Sequence, residues 1–341
     1  YLHDPSLTDA QIATLAQWAE DGAPLGDGRA TPVEVTKVGG DTGRRVDLEL
    51  ELPEAYTPTQ SPDDYRCFPV QWPLDETTYI TGFNALPGVT EQVHHIVVFL
   101  VPPSAAALPR AWDAEEAGPG YECFGGPYGS RPQQFAVNLV SGWVPGYPGV
   151  SLREGTGIEV PPHALLVVQM HYNVRGAAQA DRTRLQLTLE RGPLRRTTYQ
   201  PLLEPAWFAG AMPIPPGANP VLHQYVGDPR NFFRVTGSPL QTAQGFNIEG
   251  VLFHMHKLGV TGEVTLEKED GRRIKVLHIP AWDFHWQIEY RLSEPLAFVP
   301  GDRLRLRCSF DNSTGTREVN WGEGSDDEMC VANLLSSELA P

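Results

Sequence analysis

Basic charge is scarce in this chain. Lys and Arg number 26 against 42 Asp and Glu, a formal net charge of −16. That is the wrong sign for gripping nucleic-acid phosphates or anionic lipid, so no nucleic-acid partner is expected. Long apolar runs are missing too: the longest, such as Ile96 to Val101, are strand-sized, far short of the roughly 18 residues of a membrane helix. No membrane span is expected. Cysteine is limited to Cys67, Cys123, Cys308 and Cys330, with no Cys-x-x-Cys pair. The even count and wide spacing suit two disulfides better than a zinc site and favour an oxidising compartment, periplasmic or extracellular. Tyr1 opens the chain with no charged segment leading into an apolar one, which implies that an export signal has been removed.

What is present is enough for two cores. At 341 residues, 41 % of them hydrophobic and 9 % aromatic, two folded domains are expected. Gly (33) and Pro (32) punctuate short runs of period-two alternation, the mark of a β-rich protein. Val46, Leu48, Leu50 and Leu52 alternate with Asp47, Glu49 and Glu51, and Leu304 and Leu306 alternate with arginines. Residues 264–268 and 272–279 flank Asp270-Gly271, a favoured hairpin dipeptide. The expected fold class is mainly β, built of antiparallel sandwiches. One short helix is expected at the start, where Thr8 caps, Gln11 reaches back, Ile12, Leu15, Ala16 and Ala19 mark one face and Gly22 stops it. Residues 22–43 read as a linker, and the interruption Arg191-Gly-Pro-Leu-Arg-Arg196 marks the domain boundary.

Five of the ten histidines sit inside strand-like apolar runs: His94, His95, His171, His254 and His256. In His254-Met255-His256 the two imidazoles lie two residues apart, so on a strand they project from one face and can chelate one metal; hydrogen-bonded surface histidines fit the same spacing. Adjacent His94 and His95 point to opposite faces of a regular strand and can share an ion only across a twist or bulge. His171 alone reads as a satisfied strand residue. Met329 lies among acidic and small residues directly before Cys330. Its thioether beside histidines would select copper, especially copper(I); ordinary packing is the alternative.

Taken in order, Val93-His94-His95, Gln169-Met170-His171-Tyr172, His254-Met255-His256-Lys257-Leu258-Gly259 and Asp327-Glu328-Met329-Cys330 resemble the copper type II, ascorbate-dependent monooxygenases, here a bacterial-type member. The resemblance spans roughly Tyr65 to the C-terminus. It implies two jelly-roll-like β-sandwich domains facing each other across a cleft: residues 44–195 with an electron-transfer copper and residues 196–341 with an oxygen-activating copper, after an N-terminal helix and linker over 1–43. By the same resemblance His94, His95 and His171 hold the first copper. His254, His256 and Met329 hold the second and are the catalytic set. Cys67 pairs with Cys123 and Cys308 with Cys330, while Tyr65 and Gln169 lie near the first copper. The implied reaction inserts one atom of O2 into an aliphatic C–H bond of a small organic substrate, with two electrons from an external reductant, ascorbate or a haem.

The peptide-amidating branch of that family anchors a substrate carboxylate through an arginine, an asparagine and a tyrosine at positions that here read Leu252, Val331 and Asn333. A carboxylate buried there would lose its hydration uncompensated, so a less charged substrate is expected and peptidylglycine is not. Residues 7–27 are similar to the last helix and tail of a bacterial c-type haem domain, which implies a possible haem partner, although the chain holds no Cys-x-x-Cys-His and an ordinary lead-in helix reads equally well. The segment Trp282-Asp283-Phe284-His285-Trp286-Gln287 is expected in the core of the second domain. Two rivals remain to the monooxygenase: a copper carrier that hydroxylates nothing, and a zinc hydrolase, disfavoured because the histidine motifs offer no evident carboxylate base.

Overall fold

Each period-two run becomes a strand, because alternation buries one side of a pleated segment and leaves the other wet. The computed structural model describes residues 1–2, 6–26, 45–133, 137–147, 149–241, 244–322, 324 and 326–339. Most of the expected linker, residues 27–43, and Ser325 in the Met329 motif lie outside the described residues. The helix α1 (Asp9–Glu20) starts as expected: the Thr8 side chain accepts from the Gln11 backbone and the Gln11 side chain answers the Thr8 N–H. It buries none of its residues.

The N-terminal half holds β1 (Leu48–Glu51), β2 (Asp63–Gln71), β3 (Thr78–Leu86), β4 (Val93–Val101), β5 (Tyr121–Glu122), β6 (Asn138–Trp143), β7 (Val150–Ser151), β8 (Thr156–Val160), β9 (Leu165–Asn173) and β10 (Arg184–Glu190), with α2 (Ala107–Glu115) between β4 and β5. One layer runs β1-β10-β3-β8 and the other β6-β4-β9-β2-β5. Between them lies a core that includes Ile80, Phe83 and Leu185 from the first layer and Ile96, Val98, Leu166, Val168 and Met170 from the second. The opposite face of β9 carries Leu165 and Val167, packed with Trp112, Tyr121, Cys67 and Cys123 in a smaller cluster. Alternate residues continue that outer face to Gln169 and His171.

The C-terminal half holds β11 (Arg195–Leu202), β12 (Val221–Gly227), β13 (Phe246–His254), β14 (Gly259–Glu267), β15 (Arg273–Ile279), β16 (Glu289–Phe298), β17 (Arg303–Phe310) and β18 (Val331–Glu338), with α3 (Arg230–Thr236) after β12. The Asp270-Gly271 hairpin joins β14 to β15, with Gly271 at φ 86°, a conformation glycine adopts without a Cβ penalty. A four-stranded sheet, β12-β17-β14-β15, packs against the layer β16-β13-β18-β11 over a core of Phe246, Phe253, Leu266, Phe298, Leu306 and Leu334. The fold is therefore mainly β, with antiparallel sheets packed face to face. β11 belongs to both halves: it pairs along its length with β18 and also meets β6 through Tyr199 and Leu139 and β8 through Arg195 and Thr156.

The contact between the halves is polar and buried. β13 carries an extra residue, Glu249, against β18 at a register shift between Ile248 and Gly250, where the pairing with β16 shifts as well, and such a bulge re-aims a side chain. The Glu249 carboxylate, 1 % exposed, meets the Arg153 guanidinium at 2.5 Å and accepts the Ser337 hydroxyl at 2.7 Å. Arg153 also donates to the carbonyls of Leu292 and Ser293. Nearby, Glu289 accepts the hydroxyls of Tyr199 at 3.0 Å and Tyr147 at 3.4 Å.

Candidate metal centres

Strand pairing alone assembles the first centre. In register, Tyr65 on β2 stands opposite His171 on β9, which stands opposite His95 on β4, so the three share one face at the end of the layer. His94 joins them because the β4–β9 ladder slips between Val93 and His95, the bulge that adjacent histidines need in order to share a face. The Nδ1 atom of His95 lies 3.3 Å from Nδ1 of His94 and 3.3 Å from Nδ1 of His171. One ligand atom from each of the three histidines falls within 4.8 Å of the other two.

Behind that cluster the supports are specific. His171 Nε2 meets Asp63 Oδ1 at 2.9 Å, and the Asn173 amide donates to the same oxygen at 2.8 Å. That bond places the proton on Nε2 and leaves the Nδ1 lone pair toward the other two rings. Tyr65 stacks on His171, ring centroids 4.0 Å apart and planes 12° apart. Gln169, one row inward on the same face, does not reach the histidines; its amide donates to the Cys123 carbonyl at 2.8 Å. The Cys67–Cys123 disulfide ties β2 to the segment after β5 beneath this row.

At the second centre β13 ends at His254, and the chain turns at Lys257 and Leu258, just after His256. The two rings nevertheless lie 5.0 Å apart, centroid to centroid. His254 Nδ1 meets the Gln287 amide oxygen at 2.7 Å and His256 Nδ1 the Asp327 carbonyl at 3.0 Å, so each ring is held through Nδ1. The β13–β18 register sets His254 opposite Val331, the last pair of the ladder and two residues from Met329. The Glu328 carboxylate ties the two segments together by accepting the backbone N–H groups of His256, Leu258 and Met329. Met329 is buried and belongs to the C-terminal core. The Cys308–Cys330 disulfide fastens its segment to β17 in the opposite sheet. Leu252 pairs with Asn333 one row inward from His254 and Val331, so all three expected pocket residues share the His254 face.

Burial keeps these imidazoles neutral, the form that binds metal. It lowers His171 to about 4 against the opposing pull of Asp63, and lowers His254 to about 4 with help from His256. It also depresses His94 and His256, and takes His95 well below the usual range. The repulsion felt by protonated His95 includes one contribution from His254, and that felt by His94 one from His285. Burial raises Glu328 to about 7 against the three N–H donors.

The segment from Trp282 to Gln287 is not core, contrary to expectation. None of its residues is buried and Trp286 is 58 % exposed. It is a connection whose Asp283 side chain accepts the His285 N–H and whose Asp283 carbonyl accepts from Trp286, turn contacts that replace a strand ladder. Its contents serve the second centre instead: Gln287 holds His254, and the Trp282 indole donates to the His256 carbonyl at 3.0 Å. Gln287, Asp63 and Glu328 were not singled out from sequence. An acidic residue six positions before Pro69 on an alternating strand, or an amide after an aromatic run, carries no local mark of its partner.

A mainly β protein with three histidine nitrogens converging on one outer sheet face is a candidate metalloprotein. Residues 233–335 match the C-terminal domain of the copper type II ascorbate-dependent monooxygenases. The chain is also 25 % identical over 289 residues to the human DBH-like monooxygenase protein 2, covering 77 % of this chain and 54 % of that protein. The chain is thus similar to this copper monooxygenase family over residues 233–335 and over the 289 residues aligned with that relative. It spans about half the length of that relative. Two disulfides suit an exported protein.

Proposed function

We propose that the protein is a copper-dependent monooxygenase that hydroxylates an aliphatic C–H bond of a small, weakly charged organic substrate, using O2 and two electrons from an external reductant of the ascorbate type. The observation that supports it most is the convergence of the His94, His95 and His171 Nδ1 atoms on one sheet face. The donor sets fit the metal: three neutral imidazoles suit copper in both oxidation states, and two imidazoles with a thioether favour copper(I). On this reading residues 44–195 carry the first centre and residues 196–341 the second, each as a jelly-roll-like sandwich. His94, His95 and His171 would hold one ion through Nδ1; His254 and His256 through Nε2, with Met329, would hold the other.

Bound copper would supply one-electron redox chemistry and activation of dioxygen. The chain's own work is positional. Asp63, Gln287 and the Asp327 carbonyl hold the rear nitrogens of His171, His254 and His256, which fixes the tautomers before any ion arrives. Glu328 pins the Met329 backbone beside His256. Leu252 and Val331 present an apolar wall next to His254, with Asn333 as the one polar group in the row. A wall of this kind packs an apolar substrate and leaves a carboxylate unpaired.

Metal analysis after copper loading, paired with reductant-dependent O2 uptake, tests the proposal. Two copper ions per chain and a hydroxylated product that matches the O2 consumed are expected. Copper bound without coupled product across a panel of apolar substrates would favour the carrier, and no copper bound would end both readings.

A further inference from the structure

The histidines of the two centres are held from behind by unlike groups. His171 Nε2 donates to a carboxylate, Asp63 at 2.9 Å, whereas His254 Nδ1 meets a neutral amide oxygen at 2.7 Å and His256 Nδ1 a backbone carbonyl at 3.0 Å. The carboxylate is built in rather than incidental. Asp63 stands in register with Asn173, two residues beyond His171, and the Asn173 amide anchors the same Oδ1 at 2.8 Å. Tyr65, two residues after Asp63, stacks on the His171 ring and fixes its plane. Ring orientation, rear acceptor and the acceptor's own anchor are thus supplied by neighbouring positions on two strands.

A carboxylate behind an imidazole pushes electron density onto the opposite nitrogen and makes it a better donor to a more highly charged ion; a neutral carbonyl does so less. We propose that Asp63 is a positioning residue that lowers the reduction potential of the first centre relative to the second, so that the asymmetry between the two coppers lies in the groups behind their histidines as well as in the Met329 thioether. This rests on the two-copper reading above. Asp63 touches neither substrate nor metal in this assignment and acts through His171.

The test is a redox titration of the copper-loaded protein, following the copper(II) resonance of each centre. Asp63→Asn keeps an oxygen acceptor but removes the charge. It should leave two copper ions bound, shift the copper(I) to copper(II) ratio of the first centre about tenfold toward copper(I), a rise of about 59 mV for one electron, and leave the second centre unmoved. The reciprocal change, Gln287→Glu, should lower the potential of the second centre alone. Loss of only the first copper in Asp63→Asn, restored in Asp63→Glu, would support the same role through affinity. An unmoved first-centre potential with both ions bound, or equal shifts at both centres, would overturn the inference and leave the enzyme reading intact. Absence of copper from the wild-type His94, His95 and His171 cluster would overturn the functional reading and this inference with it.

Discussion

Removing the Arg153 side chain should loosen the joint between the two halves. Its guanidinium is 25 % exposed and meets a Glu249 carboxylate that is 1 % exposed. Stripping a buried carboxylate of its charged partner costs about 3–5 kcal/mol. The Ser337 hydroxyl remains on Glu249 at 2.7 Å, so Arg153→Met should fall near the lower end, about 3 kcal/mol. At ~2–4 °C per kcal/mol for a domain of this size, the unfolding midpoint should drop by about 6–12 °C. Glu249→Gln removes the charge from the buried side and leaves Arg153 its bonds to Leu292 and Ser293, so it should cost only about 1 kcal/mol. Scanning calorimetry of both single variants and the double variant closes a cycle, and a coupling above about 1 kcal/mol is expected. A loss below about 0.5 kcal/mol for Arg153→Met, or additive single effects, would show that the bulge at Glu249 does not secure the interface.

Replacing Cys308 and Cys330 together by Ser opens a loop of 22 residues and should cost roughly 3 kcal/mol; copper at the His254 centre should weaken while the His171 centre keeps its ion, as metal analysis would read. Glu289 is pushed above its ordinary value of 4.5 by burial, against the pull of Arg291, Tyr199 and Tyr147. From 4.5 upward to its raised value the folded state holds more protons than the unfolded chain, so this group erodes stability as pH rises through that window. Glu289→Gln should flatten the decline, and an unchanged slope of unfolding free energy as pH rises above 4.5 would contradict it. Leu252→Arg should place a cation beside His254 and strengthen binding of carboxylate-bearing ligands while weakening apolar ones; calorimetric titration showing no change in that preference would remove Leu252 from the pocket.

Local chemistry was the legible part of this protein. Thr8 and Gln11 made their reciprocal cap, Asp270-Gly271 turned its hairpin, and the His94-His95 pair implied the bulge that the β4–β9 register contains. These features depend on neighbours a few residues apart, which periodicity reads directly. Whatever depended on distant strands was hidden. Asp63 meets His171 across 108 residues and Arg153 meets Glu249 across 96, and neither pair has a local signature. Aromatic content also misled: Trp282, Phe284 and Trp286 suggested core, yet they lie in a connection turned by Asp283, with none of them buried. β11 sat at the expected domain boundary, but only pairing shows that it carries one sheet through both halves.

Anomalous diffraction at the copper edge from copper-loaded, reduced crystals tests the central claim most directly. Two peaks per chain are expected, one among Nδ1 of His94, His95 and His171, the other bounded by Nε2 of His254 and His256 and the sulfur of Met329. A lone peak, no peak, or a second peak that leaves the Met329 sulfur uncoordinated within the C-terminal core would contradict it.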